Sequence, residues 1–176
     1  MKKVAFVFLN ISVFMLFMLY LLPKENLYYL LEQSLKKQSV VLSNETVDDK
    51  GLQLELSGAT LFYKGIESAD IGKIRFDVFL LYNAVVFKEI KLSTIAEAFI
   101  PLNIERIELK YTIFNPLHVV GKASGAFGEA DIFLHLLDKK IRVILSPSEI
   151  MLQKYKNSLQ KFIKSENGEY VYEQNI

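Results

Sequence analysis

The stretch Arg106-Ile107-Glu108-Leu109-Lys110-Tyr111-Thr112-Ile113 alternates apolar and polar residues without a break. Successive side chains of an extended chain point to opposite faces, so this octet predicts a half-buried β-strand. Ile107, Leu109, Tyr111 and Ile113 share the inward face, and Arg106, Glu108 and Lys110 share the wet one.

Working toward the N-terminus, the same period of two recurs. Leu52, Leu54 and Leu56 alternate with Gln53, Glu55 and Ser57. Past Ser57-Gly58 the apolar set moves by one residue, to Ala59, Leu61 and Tyr63, which predicts a β-bulge at the glycine. Lys64-Gly65 reads as a turn. Ile74, Phe76 and Val78 then oppose Arg75 and Asp77, followed by Phe79-Leu80-Leu81, a turn at Tyr82-Asn83, and Val85-Val86-Phe87 with Ile90 and Leu92. Ser93 to Phe99 reads as a short helix or crossing loop that ends by Pro101.

Toward the C-terminus, Asn115-Pro116 interrupts the pattern and Leu117 to Ala123 resumes it. Phe127 to Leu137 and Ile141 to Ser146 form a hairpin closed at Asp138-Lys139-Lys140, with Phe127, Ile132 and Leu134 as groove or core candidates. Ser146-Pro147-Ser148-Glu149 then matches a capped helix start, with Ser146 as N-cap and Pro147 in the first turn. Met151, Tyr155, Leu159, Phe162 and Ile163 supply its apolar stripe, and Tyr170-Val171-Tyr172 adds a short final strand.

The first residues have another character. Val4 to Leu22 is nineteen residues without a formal charge, preceded by Lys2-Lys3 and closed by Pro23. As a helix it is ~28 Å long, close to a hydrocarbon core of roughly 30 Å. Thirteen of the nineteen are Leu, Ile, Val or Phe, which favours insertion by ~6 kcal/mol on the translocon scale. Val4, Phe6, Leu9, Phe14, Leu16, Leu19 and Leu22 are the anchor side chains. A cleaved signal peptide would end in small residues; here the run ends Leu19-Tyr20-Leu21-Leu22-Pro23-Lys24-Glu25. Lys2 and Lys3 put the N-terminus in the cytoplasm. The expected division is residues 1–22 as cytoplasmic tip and transmembrane anchor, and 23–176 as a periplasmic β-rich domain. Pro23 opens a second helix, in which Leu27, Leu30, Leu31 and Leu35 form one stripe up to Lys36-Lys37. That helix either caps the sheet or lies on the outer leaflet.

The expected fold is therefore mainly β (α+β): a transmembrane helix, a short amphipathic helix, a curved antiparallel sheet of about seven to nine strands, and a C-terminal helix.

Composition excludes several functions. Basic and acidic residues number 21 and 20, and without Lys2 and Lys3 the balance is 19 to 20. No cationic stripe exists to meet a phosphate backbone, so nucleic acid is not an expected partner. The chain has no cysteine, hence no disulfide, thiolate metal site or lipidated cysteine. Glu129, Asp131 and His135 fall on one strand face, the best arrangement for a metal, with Glu89 or Asp138 as further ligands. Alternating polar residues are also what a solvated sheet face contains. His118 and His135, the two histidines, have no serine or second histidine at motif spacing. No catalytic residue, metal or cofactor is expected.

Phe127-Gly128-Glu129-Ala130, and Arg142 through Leu145-Ser146-Pro147-Ser148 after the Leu137-Asp138 turn, resemble the type II secretion system protein N family and, more distantly, AsmA-like periplasmic domains. The resemblance runs from roughly Pro23 to Glu149. It implies an inner-membrane protein of a bacterial envelope machine with its domain in the periplasm. The first functional expectation is a single-pass subunit that docks other secretion or envelope subunits by strand addition, with candidate strand edges at Val40-Val41-Leu42 and Val171. The alternative is a lipid-binding or lipid-transfer module. Segments such as Val85-Val86-Phe87 and Ile132-Phe133-Leu134 are apolar on both sides, which fits either a covered sheet or a groove for phospholipid tails.

Overall fold

The computed structural model describes residues 2–79 and 81–175, with the side chains of Lys2 and Leu19 outside that set. Two helices lead: α1 (Lys2–Leu21) and α2 (Lys24–Lys37). Strands β1 (Val40–Ser43), β2 (Thr46–Asp49), β3 (Gln53–Tyr63), β4 (Ile66–Val78) and β5 (Tyr82–Leu92) follow. A 3-10 turn (Thr94–Ala98) leads into β6 (Asn103–Thr112), β7 (His118–Gly125), β8 (Gly128–His135) and β9 (Lys140–Pro147). The chain ends with α3 (Glu149–Lys154), α4 (Lys156–Leu159), β10 (Ile163–Lys164) and β11 (Tyr170–Asn175).

All eleven strands join one antiparallel sheet in the order β1-β3-β4-β5-β6-β7-β8-β9-β11-β10, with β2 also on β3. From β3 to β9 it is a meander of consecutive hairpins. The expected mainly-β class therefore holds, with more strands than the seven to nine read from the pattern. The surplus comes from two short pieces at the edges, β2 and β10, each of four residues or fewer.

The phase change at Gly58 is real, but its form differs from the predicted bulge. Ser57 pairs with Lys73 and Ala59 with Ile71, so the register passes Gly58 unshifted; the β3–β4 irregularity falls between Leu61 and Phe62. Register is kept because the neighbours reverse at the same level. Leu54, Leu56 and Ala59 are all buried on β3, and Ile74 and Ile71 on β4. On β5 the packed set runs Val85, Phe87, then Ile90, and on β6 Ile107, then Ile104. Gly58 (φ +71°) and Glu89 (φ +56°) make the reversal in the left-handed region, which glycine enters without a Cβ penalty.

Other boundaries also move. Tyr82-Asn83 begins β5 instead of forming a turn, and Leu80 of the expected apolar run lies outside the described residues. Ser146 and Pro147 are taken up by pairing with Glu129 and Gly128, so the N-cap passes to Ser148. Its Oγ accepts from Met151 N at 3.2 Å and donates to Ala126 O at 2.7 Å. The single C-terminal helix is two short ones, parted at Tyr155, and Ile163 leaves the stripe for β10. Ile113 is an exposed turn residue beyond the end of β6.

Two apolar clusters lie on one face. Tyr28, Leu42, Leu54, Leu56, Ile71 and Ile74 gather under α2, and Phe127, Ala130, Leu145, Met151 and Leu159 gather under α3 and α4. Ile104 and Ile107 touch both.

Candidate functional site

Register assembles the site. Leu54, Phe76, Val85, Leu109, Gly121, Ile132, Val143 and Tyr172 are successive partners across eight strands. The next row is Leu56, Ile74, Phe87, Ile107, Ala123, Ala130, Leu145 and Tyr170. On the other side, Tyr111, Val119, Leu134 and Ile141 extend the same surface. The result is a continuous apolar face walled by helices: α2 packs on β1–β3, and α3 on β9. Between those walls Val85, Leu109, Tyr111, Ile132, Leu134 and Ile141 stay half-buried.

Of the six groove or core candidates, Leu109, Tyr111, Ile132 and Leu134 thus meet on the half-buried middle. Phe127 does not: it is buried in the β7–β8 turn under α3, its carbonyl accepting from Ser148 N at 2.9 Å. Ile113 lies outside the face, at a loop tip.

The opposite face mixes charged and apolar side chains, with Val86 and Ala84 buried among Arg75, Asp77, Glu108 and Lys110. Glu55 accepts from Lys73 and Lys50 at 3.0 and 3.2 Å, and these bonds hold its carboxyl below the ordinary range. Burial pushes the Glu108 carboxyl up, but hydrogen bonds from Lys110 and Arg106, both at 3.0 Å, bring it below its ordinary value. Asp77, nearly buried, accepts from Arg75 Nε and Nη2 at 3.2 and 3.1 Å. A polar depression of about 300 Å³ sits between Arg106, Glu108, Lys122, Glu129 and Asp131. The metal constellation does not assemble there. Asp131 faces Lys122 at 3.7 Å and the His135 ring meets His118 edge-on, centroids 4.5 Å apart. Among the described residues no three His, Asp or Glu groups come together as ligands.

The junction between α1 and α2 carries features the pattern did not announce. Lys24 is 1% exposed. Its Nζ donates to Leu22 O at 3.0 Å and Tyr20 O at 3.5 Å, and stands 3.8 Å from Asp49 Oδ1. An ammonium placed on the last carbonyls of α1 complements the negative helix end. The Tyr20 ring lies against Gly51 in the β2–β3 turn. Tyr28, 2% exposed, donates its hydroxyl to Glu45 Oε1 at 2.5 Å. Burial first, then the Glu45 carboxylate, raises the phenol above its ordinary 10.0. The available signal was a lysine directly after Leu21-Leu22-Pro23, where a helix end needs a donor.

Val4, Phe6, Leu9, Phe14 and Leu16 of α1 are between 57% and 73% exposed, and Leu22 is half-buried. Among the described residues no helix is long and apolar enough to cross a membrane, so the expected transmembrane anchor is without support there. Helix α1 itself runs 20 residues, about 30 Å.

Of the two expected strand edges, β1 (Val40–Ser43) pairs with β3 alone and is an edge. Val171 is not, because it pairs with Ile144 on one side and Ile163 on the other.

Comparison with protein-family models, with curated proteins and with solved structures finds no match for this chain.

Proposed function

We propose that this chain is a non-enzymatic, single-pass component of a bacterial inner membrane, with its β-domain in the periplasm, and that the domain holds phospholipid acyl chains in an apolar groove. The single observation that carries this reading is the eight-strand apolar face whose middle, around Leu109, Tyr111, Ile132 and Leu134, stays only half-buried between the two helical walls. Contiguous apolar surface of that extent on a monomer marks a binding site, since water against it is costly. What supports the tether is α1, along which Val4, Phe6, Phe8, Leu9, Phe14 and Leu16 are exposed and suit an apolar solvent.

A second reading, docking to other secretion or envelope subunits, draws on the resemblance to type II secretion protein N. Its support is the open outer side of β1, where a partner strand could add through backbone hydrogen bonds.

The test uses the full chain, extracted in a mild detergent and examined by native mass spectrometry. The groove reading expects retained phospholipid, and Leu134→Asp, checked as folded by circular dichroism, should strip it. Lipid-free wild-type protein, or undiminished lipid on the Leu134→Asp variant, would overturn it.

A further inference from the structure

We infer that α2 is the portal of this groove: it lies in the outer-leaflet interface and passes acyl chains between the bilayer and the sheet. The inference rests on the tethered-groove reading above and adds the place of entry.

Chain length limits where α2 can be. Only Leu22 and Pro23 separate it from α1, so Leu27 stands about 8 Å of helical rise beyond the end of the anchor. The headgroup region adds roughly 5–7 Å on each side of the hydrocarbon, so α2 stays at the interface when the Leu22-Pro23 break turns it along the membrane surface. The Lys24 bonds to Tyr20 O and Leu22 O, with Asp49 beyond, tie that junction to β2.

The helix has the side chains for this position. Tyr28 faces the core, whereas Leu27, Leu30 and Leu31 are 45%, 61% and 41% exposed. Their i, i+3, i+4 spacing makes one stripe that the fold leaves bare. Lys36 and Lys37 close the helix on its exposed C-terminal turn, where cations meet anionic headgroups.

The same stripe opens inward. Leu27 and Leu31 line a cavity of about 110 Å³ together with Lys24, Tyr28, Leu54, Phe76 and Val78. Leu54 and Phe76 begin the row that runs on through Val85 and Leu109 to Ile132. One helix thus borders the bilayer on its outer side and the head of the groove on its inner side. A diacyl phospholipid, whose tails cross and whose headgroup stays wet, is the occupant that suits both borders.

The full chain lacks cysteine, so single cysteines report cleanly. Leu30→Cys tests the stripe, Val13→Cys the tether, and Ile163→Cys, exposed on β10 at the opposite sheet edge, serves as the aqueous reference. Each is reconstituted in phosphatidylethanolamine–phosphatidylglycerol vesicles and treated with a membrane-impermeant maleimide. The thiolate is the nucleophile and hydrocarbon disfavours it, so L30C should react about tenfold or more slower than I163C. V13C should be slower still. A second measurement uses vesicles containing phospholipid with a photoactivatable tail: crosslinks should map to Leu54 and Phe76 beneath α2. If L30C reacts as fast as I163C while V13C stays protected, the portal is refuted and the tether stands. If V13C also reacts, the tethered reading falls with it. Crosslinks confined to α1 would likewise refute the portal.

Discussion

Tyr28 is the side chain through which α2 holds the sheet, and removing it in two steps separates packing from hydrogen bonding. The ring is 2% exposed against Leu54, Leu56 and Ile74, and its hydroxyl donates to Glu45. Tyr28→Ala should destabilise by about 3–5 kcal/mol, the range for emptying a buried aromatic site. Tyr28→Phe should cost only about 1–2 kcal/mol, because Glu45 is half-buried and recovers water when its donor is lost. Alkaline pH supplies an independent check. The folded phenol titrates above its ordinary 10.0, so above pH 10 the unfolded chain loses a proton that the folded chain keeps. Stability from this group is complete below pH 10 and declines as pH rises, by up to about 1.4 kcal/mol per unit. Urea unfolding of the full chain in detergent, followed by circular dichroism at pH 8 and pH 11, measures both effects. Wild type should lose more between those pH values than Tyr28→Phe does. Equal midpoints for the two proteins, with equal alkaline losses, would refute the account of Tyr28.

Two further perturbations probe backbone and junction. Gly58→Ala has open space around the added methyl but a φ of +71°, so it should cost about 1–2 kcal/mol. Gly128→Ala combines a φ of +114° with backbone atoms of Ser146, Pro147 and Ser148 crowding the same point, and should cost roughly 3 kcal/mol or more; denaturant midpoints that rank the two the other way would contradict the turn geometry. Lys24→Met removes the donor from the last carbonyls of α1 and should cost about 1–3 kcal/mol. It should also open residues 21–24 to limited proteolysis, and an unchanged cleavage pattern would show that the cap is dispensable.

The alternation through Arg106 to Ile113 was enough to place Leu109 and Tyr111 on the apolar face, because side-chain direction in a strand follows from parity alone. Parity also placed Ile132 and Leu134 there. It failed for Ile113 because Asn115-Pro116 ends pairing earlier than the pattern does. Phe127 was seen as apolar but not as a turn residue, since its burial comes from α3, distant in sequence. Two short edge strands carried too few residues for a period to register. The capping motif at Ser146 was readable, but β9 competes for those residues and wins through two ladder pairs, moving the cap to Ser148. The lining of the middle rows was thus legible, whereas the covering of their ends was not: α2 and α3 approach through tertiary contacts that no local pattern encodes. Lys24 is the clearest case, a buried cation whose partners are carbonyls that every sequence possesses.

The reversal made at Gly58 and Glu89 and matched on the neighbouring strands constrains how such a chain can change length. Deleting Gly58 would return Ala59 and Leu61 to the ordinary alternation after Leu56 but leave them one ladder level out of step with Ile71, Ile90 and Ile104. Every neighbour would need a matching deletion before the surfaces agreed again. Loops here can lengthen one at a time, but the strands must be edited in concert.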